Sequence, residues 1–510
     1  MGDEPSIRRL ETAIEHYRTS MLAESIAFYT NPAVSAKLAV AIQSGFILAG
    51  FIFLFFLVYY RRYWKDMEAR WLFWRVVPIL FGILCIKFAI GFLYKGYIPE
   101  LLLFYAIPSP KVQGIFWLAF AALIFTAFIR FRERLERFPL QKFLLALCLA
   151  SIGFSVSVGA VREGLASVAE PYTKIYWEYT GALPEVHPVR SFLQSYTLTR
   201  IVPQLAVHSS THPPGYILIL YALQRLFGVD FLGLALSTVI AAGLAVWPIF
   251  YLWRQFLSDT ETRRALEIFI FVPSLVMTSA TSTEAFFLLL VWSAIALCFI
   301  GWQRSALLAF VGGLVAAAAL FCNFLFLLLA PFFIFLAWYR VHRASVADHS
   351  VVLFRILLSL GAFILFFVIL QFWSGYSIID NFFTARVSNQ HAVQSNFASL
   401  GMYLLYIAMN IVTFFIYLGL PLVAIFYRDW PDTLRKATIL FKSGIGVVFI
   451  FLAAGAFQGD VERLWLFILP LFVPFANRLF ANENQQLFGP FLSLVFLQII
   501  VTQILFYTFY

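Results

Sequence analysis

The chain has 510 residues, of which 62% are hydrophobic and 12% charged, and its mean hydropathy is +0.87. That usage excludes a soluble globular domain and points to an integral, polytopic membrane protein. The formal charge of +10 reads as Lys and Arg of cytoplasmic loops rather than as affinity for nucleic acid, for which no other signal is present.

Taken in chain order, residues 1–34 are polar and helix-prone, with no positive segment leading into a short apolar core. They are predicted to form an amphipathic interfacial helix and carry no cleavable signal. From Leu38 onward, apolar stretches of about 17 to 25 residues recur, each the length that crosses a bilayer. The basic segments "YYRRYWKDMEAR" (59–70) and "RFRERLERFPLQK" (130–142) are placed in the cytoplasm by the positive-inside rule. Spans are then expected near 35–60, 72–97, 113–130 and 141–161, with the N-terminus outside. Cys85, Cys148, Cys298 and Cys322 lie in or beside apolar runs, as small core residues rather than a disulfide framework.

The fourth span delivers the chain to a long polar segment, 162–213, expected outside. It holds Glu163, Glu170, Glu178 and Glu185, with His187, His208 and His212 and aromatics between them. Any single acid here is read equally well as part of a solvated connector, but their concentration on one loop suits a site. The segment closes with "HSSTHPPG" (208–215). Pro213 and Pro214 suit the first turn of a helix, Thr211 is placed to cap it, and His212 is held extended by the following proline. A helix start facing water favours an anion, to which His208 and His212 would add donors. The plain alternative is two interfacial histidines bonded to loop backbone. Zinc on His208-xxx-His212 is disfavoured, because Pro213 argues against both sitting in one helix and no Glu follows the first His.

Further on, Arg254, Arg263, Arg264, Arg304, Arg340, Arg343, Arg428, Arg435, Lys436, Lys442 and Arg478 mark inside loops. Three more polar stretches fall outside: Thr281 to Glu284, Ser374 to Leu400 and "QGDVERLW" (458–465). Residues 214–228 are apolar, yet a crossing there would reverse the loop at Arg254–Arg264, so they are read as re-entrant or interfacial. The expected fold is all-α, a helical bundle of about 14 spans. Its parts are an N-terminal segment 1–34, an additional membrane module 35–140, and a core 141–510 that includes the large extracytoplasmic loop 162–213.

Glu284, in "TSATSTEAFFLLL", stands at the outer lip of a span, either as a functional acid or as a helix-start acid capped by Thr281 or Ser282. In "GDVERLW", Asp460, Glu462 and Arg463 crowd the mouth of another span. Arginine is shaped for a bidentate grip on phosphate or carboxylate, and a local surface ion pair is the bland reading. The 374–400 stretch, with Tyr376, Asp380, Arg386, Asn389, His391 and Asn396, is long enough to cover a site.

The set "YWEYTG", "FLQSY", "HSSTHPPG" and "GDVERLWLFILP" resembles the GT-C superfamily of integral membrane glycosyltransferases that use polyprenyl-phosphate sugars. The likeness is to bacterial members related to protein O-mannosyltransferases, lipid A aminoarabinose transferases and lipopolysaccharide galacturonosyltransferases, and it covers roughly residues 140–480. It implies inverting transfer at the outer face of the plasma membrane, from a lipid-linked donor to a lipid, glycan or protein acceptor. By the resemblance Glu178 is the general base, where the family usually has Asp, with Glu163 and Glu170 as substitutes. Glu284 takes the second acidic position, which contacts acceptor or, in some members, metal. The same likeness puts the donor phosphate on His208, His212, Arg200 and Arg463, and substrate on Tyr176, Trp177, Tyr196, Asp460 and Glu462. No cofactor is firmly implied, though a divalent Mg or Mn fits some members. The alternative is a transporter or flippase of a lipid-linked or small anionic substrate, which predicts ionisable residues near the midplane; Lys87 and Arg355 are the few candidates.

Overall fold

The structure is a computed structural model that describes residues 34–93, 102–196, 205–392, 397, 399–428, 439–455, 457–474 and 485–508. The expected interfacial helix of residues 1–34 and the candidate Arg200 lie outside the described residues. Helices dominate, and the sheet among the described residues is one pair of two-residue strands, Ile107–Pro108 with Phe506–Tyr507. Among the described residues, ten helices are long and apolar enough to cross a membrane, from Ala39–Tyr63 to Gln486–Leu505, and three shorter apolar helices are Gly215–Phe227, Ala306–Cys322 and Ile439–Ala453. The chain is therefore an all-α, multi-pass membrane protein.

The charged junctions collect at one end of the bundle. Arg132 pairs with Glu136 at 2.7 Å and Glu267 at 2.8 Å, and lies over the Phe488 ring at 3.7 Å. Arg263 donates to the Phe138 carbonyl at 2.9 Å, and Arg428 pairs with Glu68. Phe256 stacks on Phe299, whose carbonyl accepts from Arg340 at 3.3 Å, while Arg355 donates to the Gln303 carbonyl. Apart from Arg132 with Glu136, these contacts join segments far apart in sequence, so most of the loops singled out by their Lys and Arg share one face, called here the basic end.

The return path from that end is broken once. Helix Asp259–Phe269 starts on a capping box formed by Ser258 and Glu261. The chain unwinds at 270–272 and resumes with Pro273 in the first turn of Pro273–Ser279, where its missing N–H costs nothing. This bent path carries the chain from Arg263 to Glu284 at the opposite end.

Helix Gly215–Phe227 folds back on the helix that follows. The Tyr216 hydroxyl lies 3.0 Å from that of Thr238, well inside Phe231–Leu244, and the two helices join through Gly228 in the left-handed conformation and an Asp230 cap on Gly233. Gly215–Phe227 thus stays on the side away from the basic end, and the chain crosses to that end in the span that follows, Phe231–Trp253. One detail departs from the sequence reading. The helix starts at Gly215 with Pro214 as its cap residue, and Thr211 does not cap it, because its hydroxyl is bonded to the Val207 carbonyl at 2.9 Å.

Candidate functional site

Four separate segments meet at the end away from the basic loops. The first brings Glu178. After helix Leu165–Thr173 the chain turns, with the Glu178 N–H bonded to the Lys174 carbonyl at 2.8 Å, and enters a 3-10 helix, Tyr179–Val186. The turn is tight enough that a Cβ on Gly181 would run into the Ile175 carbonyl oxygen. The second segment, the short helix Val207–Thr211, is tied to the first by the His208 N–H on the Trp177 carbonyl at 3.0 Å. That tie seats the His208 ring so that Nδ1 lies 2.9 Å from Glu178 Oε2.

Glu284, at the start of helix Ala285–Arg304, comes third. The Thr283 hydroxyl sits 3.4 Å from both Glu178 Oε2 and Glu284 Oε2, linking the two acids, and the Ser282 hydroxyl donates to Glu284. The fourth segment is the Gly459–Asp460 turn. Asp460 takes a positive φ of 56° and Gly459 one of 93°, a conformation that costs a non-glycine residue free energy and persists only when its surroundings hold it. Asn410 does the holding: its amide accepts from the Gly459 N–H at 3.0 Å and donates to the Phe457 carbonyl at 3.0 Å. Out of this turn Arg463 reaches Glu284 Oε1 at 2.8 Å and Asp460 Oδ2 at 3.2 Å.

The assembly is dry. Glu178 is 0% exposed, and His208, Glu284 and Arg463 are 7–8% exposed. Such burial opposes charge, and the partners decide the outcome. For Glu284 burial pushes the carboxyl up, but the Arg463 guanidinium, His208 and the Ser282 hydroxyl outweigh it and hold the acid at about 2. His208 is driven down by burial and pulled further up by Glu178, ending above the ordinary imidazole value. For His212 burial, joined by the charges of His208 and Arg463, outweighs the opposing pull of Glu284 and lowers the ring to about 3, so it is neutral at physiological pH. Asp460 is raised, burial outweighing Arg463. Several buried polar atoms have no hydrogen-bond partner among the described residues: Glu178 Oε1, Tyr179 Oη, His212 Nδ1 and Asp460 Oδ1. The Tyr179 ring lies 5.5 Å from that of His208 and 5.8 Å from that of His212, so unsatisfied groups gather beside the acids.

Not every candidate joins this cluster. Glu163 does not, because it pairs with Lys111, and Glu170 accepts from the Tyr507 hydroxyl. Both substitutes for the base are thereby occupied elsewhere. Glu462 points to the other side of its turn and accepts from the Tyr105 N–H at 2.9 Å. Tyr196 supports the site from behind, with its hydroxyl donating to the Ser209 carbonyl and, at 3.2 Å, to that of His212. Trp177 has its ring 6.2 Å from His208, and Tyr176 is exposed. His208 and His212 share one short turn after all, with the His212 N–H on the His208 carbonyl at 3.2 Å, although His212 itself is extended as expected.

Sequence reasoning missed Thr283, Asn410 and Lys174. Thr283 is one of a run of hydroxyls, and nothing in the run singles it out. Lys174, four residues before Glu178, feels both Glu178 and Arg463, and burial lowers its ammonium; its i, i+4 spacing from Glu178 was the available signal. No group of three or more His, Cys, Asp and Glu side chains among the described residues is disposed to hold a metal ion. The Arg463 guanidinium fills the space between Glu284 and Asp460 where a cation would sit, so the residues present do not fit a resident Mg or Mn. A cavity of about 760 Å³ opens instead at the basic end, among Arg132, Glu136, Asp259, Arg263 and Arg264. No protein-family model, curated protein or solved structure shows a significant match to the chain.

Proposed function

We propose that the chain is a membrane glycosyltransferase that moves a sugar from a polyprenyl-phosphate donor to a cell-envelope lipid, glycan or protein at the outer face of the plasma membrane. The observation that carries this reading is the single buried chain of contacts from His208 through Glu178, Thr283 and Glu284 to Arg463. It lies at the end of the bundle away from the Arg-rich loops, which is the outer end by the positive-inside rule. This reading counts fourteen passes, with helix Gly215–Phe227 taken as non-crossing. They are the ten long helices, Ala306–Cys322, Ile439–Ala453, the broken path 259–283 and the return through 461–474.

In this reading Glu178 Oε1, which has no partner among the described residues, takes the proton of the acceptor hydroxyl. The acceptor oxygen bonds to the anomeric carbon as the bond from that carbon to the phosphate oxygen breaks, and the lipid phosphate leaves with the electron pair from the face opposite attack. A positioned base contributes roughly 10² to 10⁴-fold, and the greater need is to stabilise charge growing on the leaving phosphate. Arg463 is the fixed cation for that purpose and neutral His212 a donor beside it, while His208 and Thr283 hold Glu178 in place. No step runs through a metal. The cluster favours transfer over transport because its ionisable groups gather at one end of the bundle, whereas a transporter reading expects them near mid-depth.

The test is transfer by purified protein in proteoliposomes with radiolabelled polyprenyl-phosphate sugars, comparing the parent with Glu178→Gln and Arg463→Ala. Loss of turnover in both, with folding retained in Glu178→Gln, is the expected result. Unchanged turnover in both removes the proposal.

A further inference from the structure

Helix Ile378–Ala392 is amphipathic in the reverse sense to a soluble surface helix. Asn381, Thr384 and Ser388, which recur at three- and four-residue spacing, are buried, whereas Ile379, Phe382, Phe383 and Val387 face outward. Helical geometry puts the first set on one face and the second on the opposite one. The buried polar face packs on Val207–Thr211, the short helix that carries His208. Tyr376 donates to the Asn381 side-chain oxygen at 2.8 Å, but Asn381 Nδ2 and Ser388 Oγ have no hydrogen-bond partner among the described residues.

What covers the outward apolar face is indicated by its neighbours. It continues the exposed apolar side of the span Val346–Ser374, which ends in Phe372, 86% exposed, and Trp373. Phe382 is anchored edge-on to Phe324, at the start of the span Phe324–Arg343, with ring centroids 5.3 Å apart. An apolar face continuous with lipid-facing spans, with Arg386 exposed on the same side, suits the boundary between acyl chains and anionic headgroups.

We propose that Ile378–Ala392 lies in the headgroup layer of the bilayer as an interfacial helix, with its apolar face in lipid and its polar face roofing the His208 turn. A lipid-tailed ligand reaches the buried cluster beneath it, and its polar head meets Asn381 Nδ2 and Ser388 Oγ. This second half rests on the reading of the cluster as a site for a polyprenyl-phosphate sugar; the bilayer seat does not.

The seat is tested on the full chain, with the exposed Cys85 changed to Ser, in phosphatidylcholine–phosphatidylglycerol vesicles containing brominated acyl chains. A bimane is attached at one cysteine introduced at Phe372, Phe383 or Glu185, the last an exposed residue of the large loop. Quenching at Phe383 is expected within about twofold of Phe372 and at least roughly threefold above Glu185, as for a face buried in the acyl boundary. Quenching at Phe383 equal to that at Glu185 overturns the seat, whatever reaction the protein performs. The entry route is tested with Ile379→Asp/Phe383→Asp. Transfer from a long-chain donor should fall about tenfold or more while transfer from a short, water-soluble donor is kept, since only the former needs the lipid boundary. Equal losses with both donors overturn the route. Absence of transfer by the parent counts against the glycosyltransferase reading and leaves the quenching result standing.

Discussion

Both ends of the bundle carry a network of arginines and carboxylates, and they differ in how far water reaches the rim of each. At the basic end Arg132, Arg263 and Arg264 pair with Glu136, Asp259 and Glu267 around an open cavity; Glu267 is buried, but Arg254 and Asp259 at the rim are nearly half exposed. At the other end Arg463 holds Glu284 with almost no exposure and Asp460 with 21% of its side chain exposed, beside polar atoms that lack partners. Exposed pairs are worth little, whereas a buried charge stripped of its partner is expensive. The open cavity is therefore the poorer guide to chemistry. The basic-end network fastens the 130–142 turn to helix Asp259–Phe269, and the network at the other end brings four segments together around Arg463 and Glu178.

The largest break in that comparison comes from Arg463→Ala. It leaves the buried Glu284 and the partly buried Asp460 without their shared cation, so unfolding in detergent should show a loss of about 3 to 5 kcal/mol, together with loss of transfer. Glu284, no longer held at about 2, should titrate upward. Its contribution to stability in the parent is present above the ordinary value of 4.5 and is lost only as pH falls through about 2; the variant should lose it at milder acidity. Glu178→Gln should separate function from fold: transfer falls by about 10² to 10⁴, while the thermal midpoint moves little because shape and the contact to His208 are kept.

Much of this was legible in the sequence. Hydropathy and loop charge suffice for an all-α membrane protein with its basic loops on one face, since span length and Lys/Arg placement are local properties. His208, Glu284 and Arg463 stood out as polar groups at the mouths of apolar runs, while Glu178 was one of four loop acids, singled out by the resemblance alone. The partner of each was not readable. Glu163 and Glu178 look alike in one loop, and only packing gives Lys111 to the first and His208 to the second. Asn410 sits inside an apolar stretch as a lone amide, and its task becomes visible only when the Gly459–Asp460 turn arrives from about fifty residues away. The start of helix Gly215–Phe227 was misjudged by a residue or two because Thr211 turned back to Val207, a local bond that competes with capping.

His208→Gln sharpens the comparison through pH. The folded value of His208 is raised above 6.5 by Glu178, so its pairing contributes stability fully below about pH 6.5 and loses it as pH rises through the raised value. Thermal midpoints of the parent should decline across that window, and those of the variant should stay flat there. A parallel decline in both would assign the slope to other groups. Asn410→Ala should cost about 1 to 3 kcal/mol by leaving the Gly459 N–H and the Phe457 carbonyl unsatisfied, and it should lower transfer by displacing Arg463.

The smallest effect is expected at the opposite end, from Asp259→Asn. Asp259 accepts from Arg263 at 2.7 Å and lies 3.5 Å from Arg254, so on contact distance alone it matches Glu284. Its side chain is 45% exposed, however, and water replaces most of what the substitution removes, leaving a cost under about 1 kcal/mol. Arg263 keeps its hold on the Phe138 carbonyl at 2.9 Å, which fixes the loop without the acid. The loss should shrink further at high ionic strength, where exposed pairs are screened, while that of Arg463→Ala should persist. A large, salt-insensitive loss in Asp259→Asn would mean that the basic end is as dry as the site, and would end the distinction between the two networks.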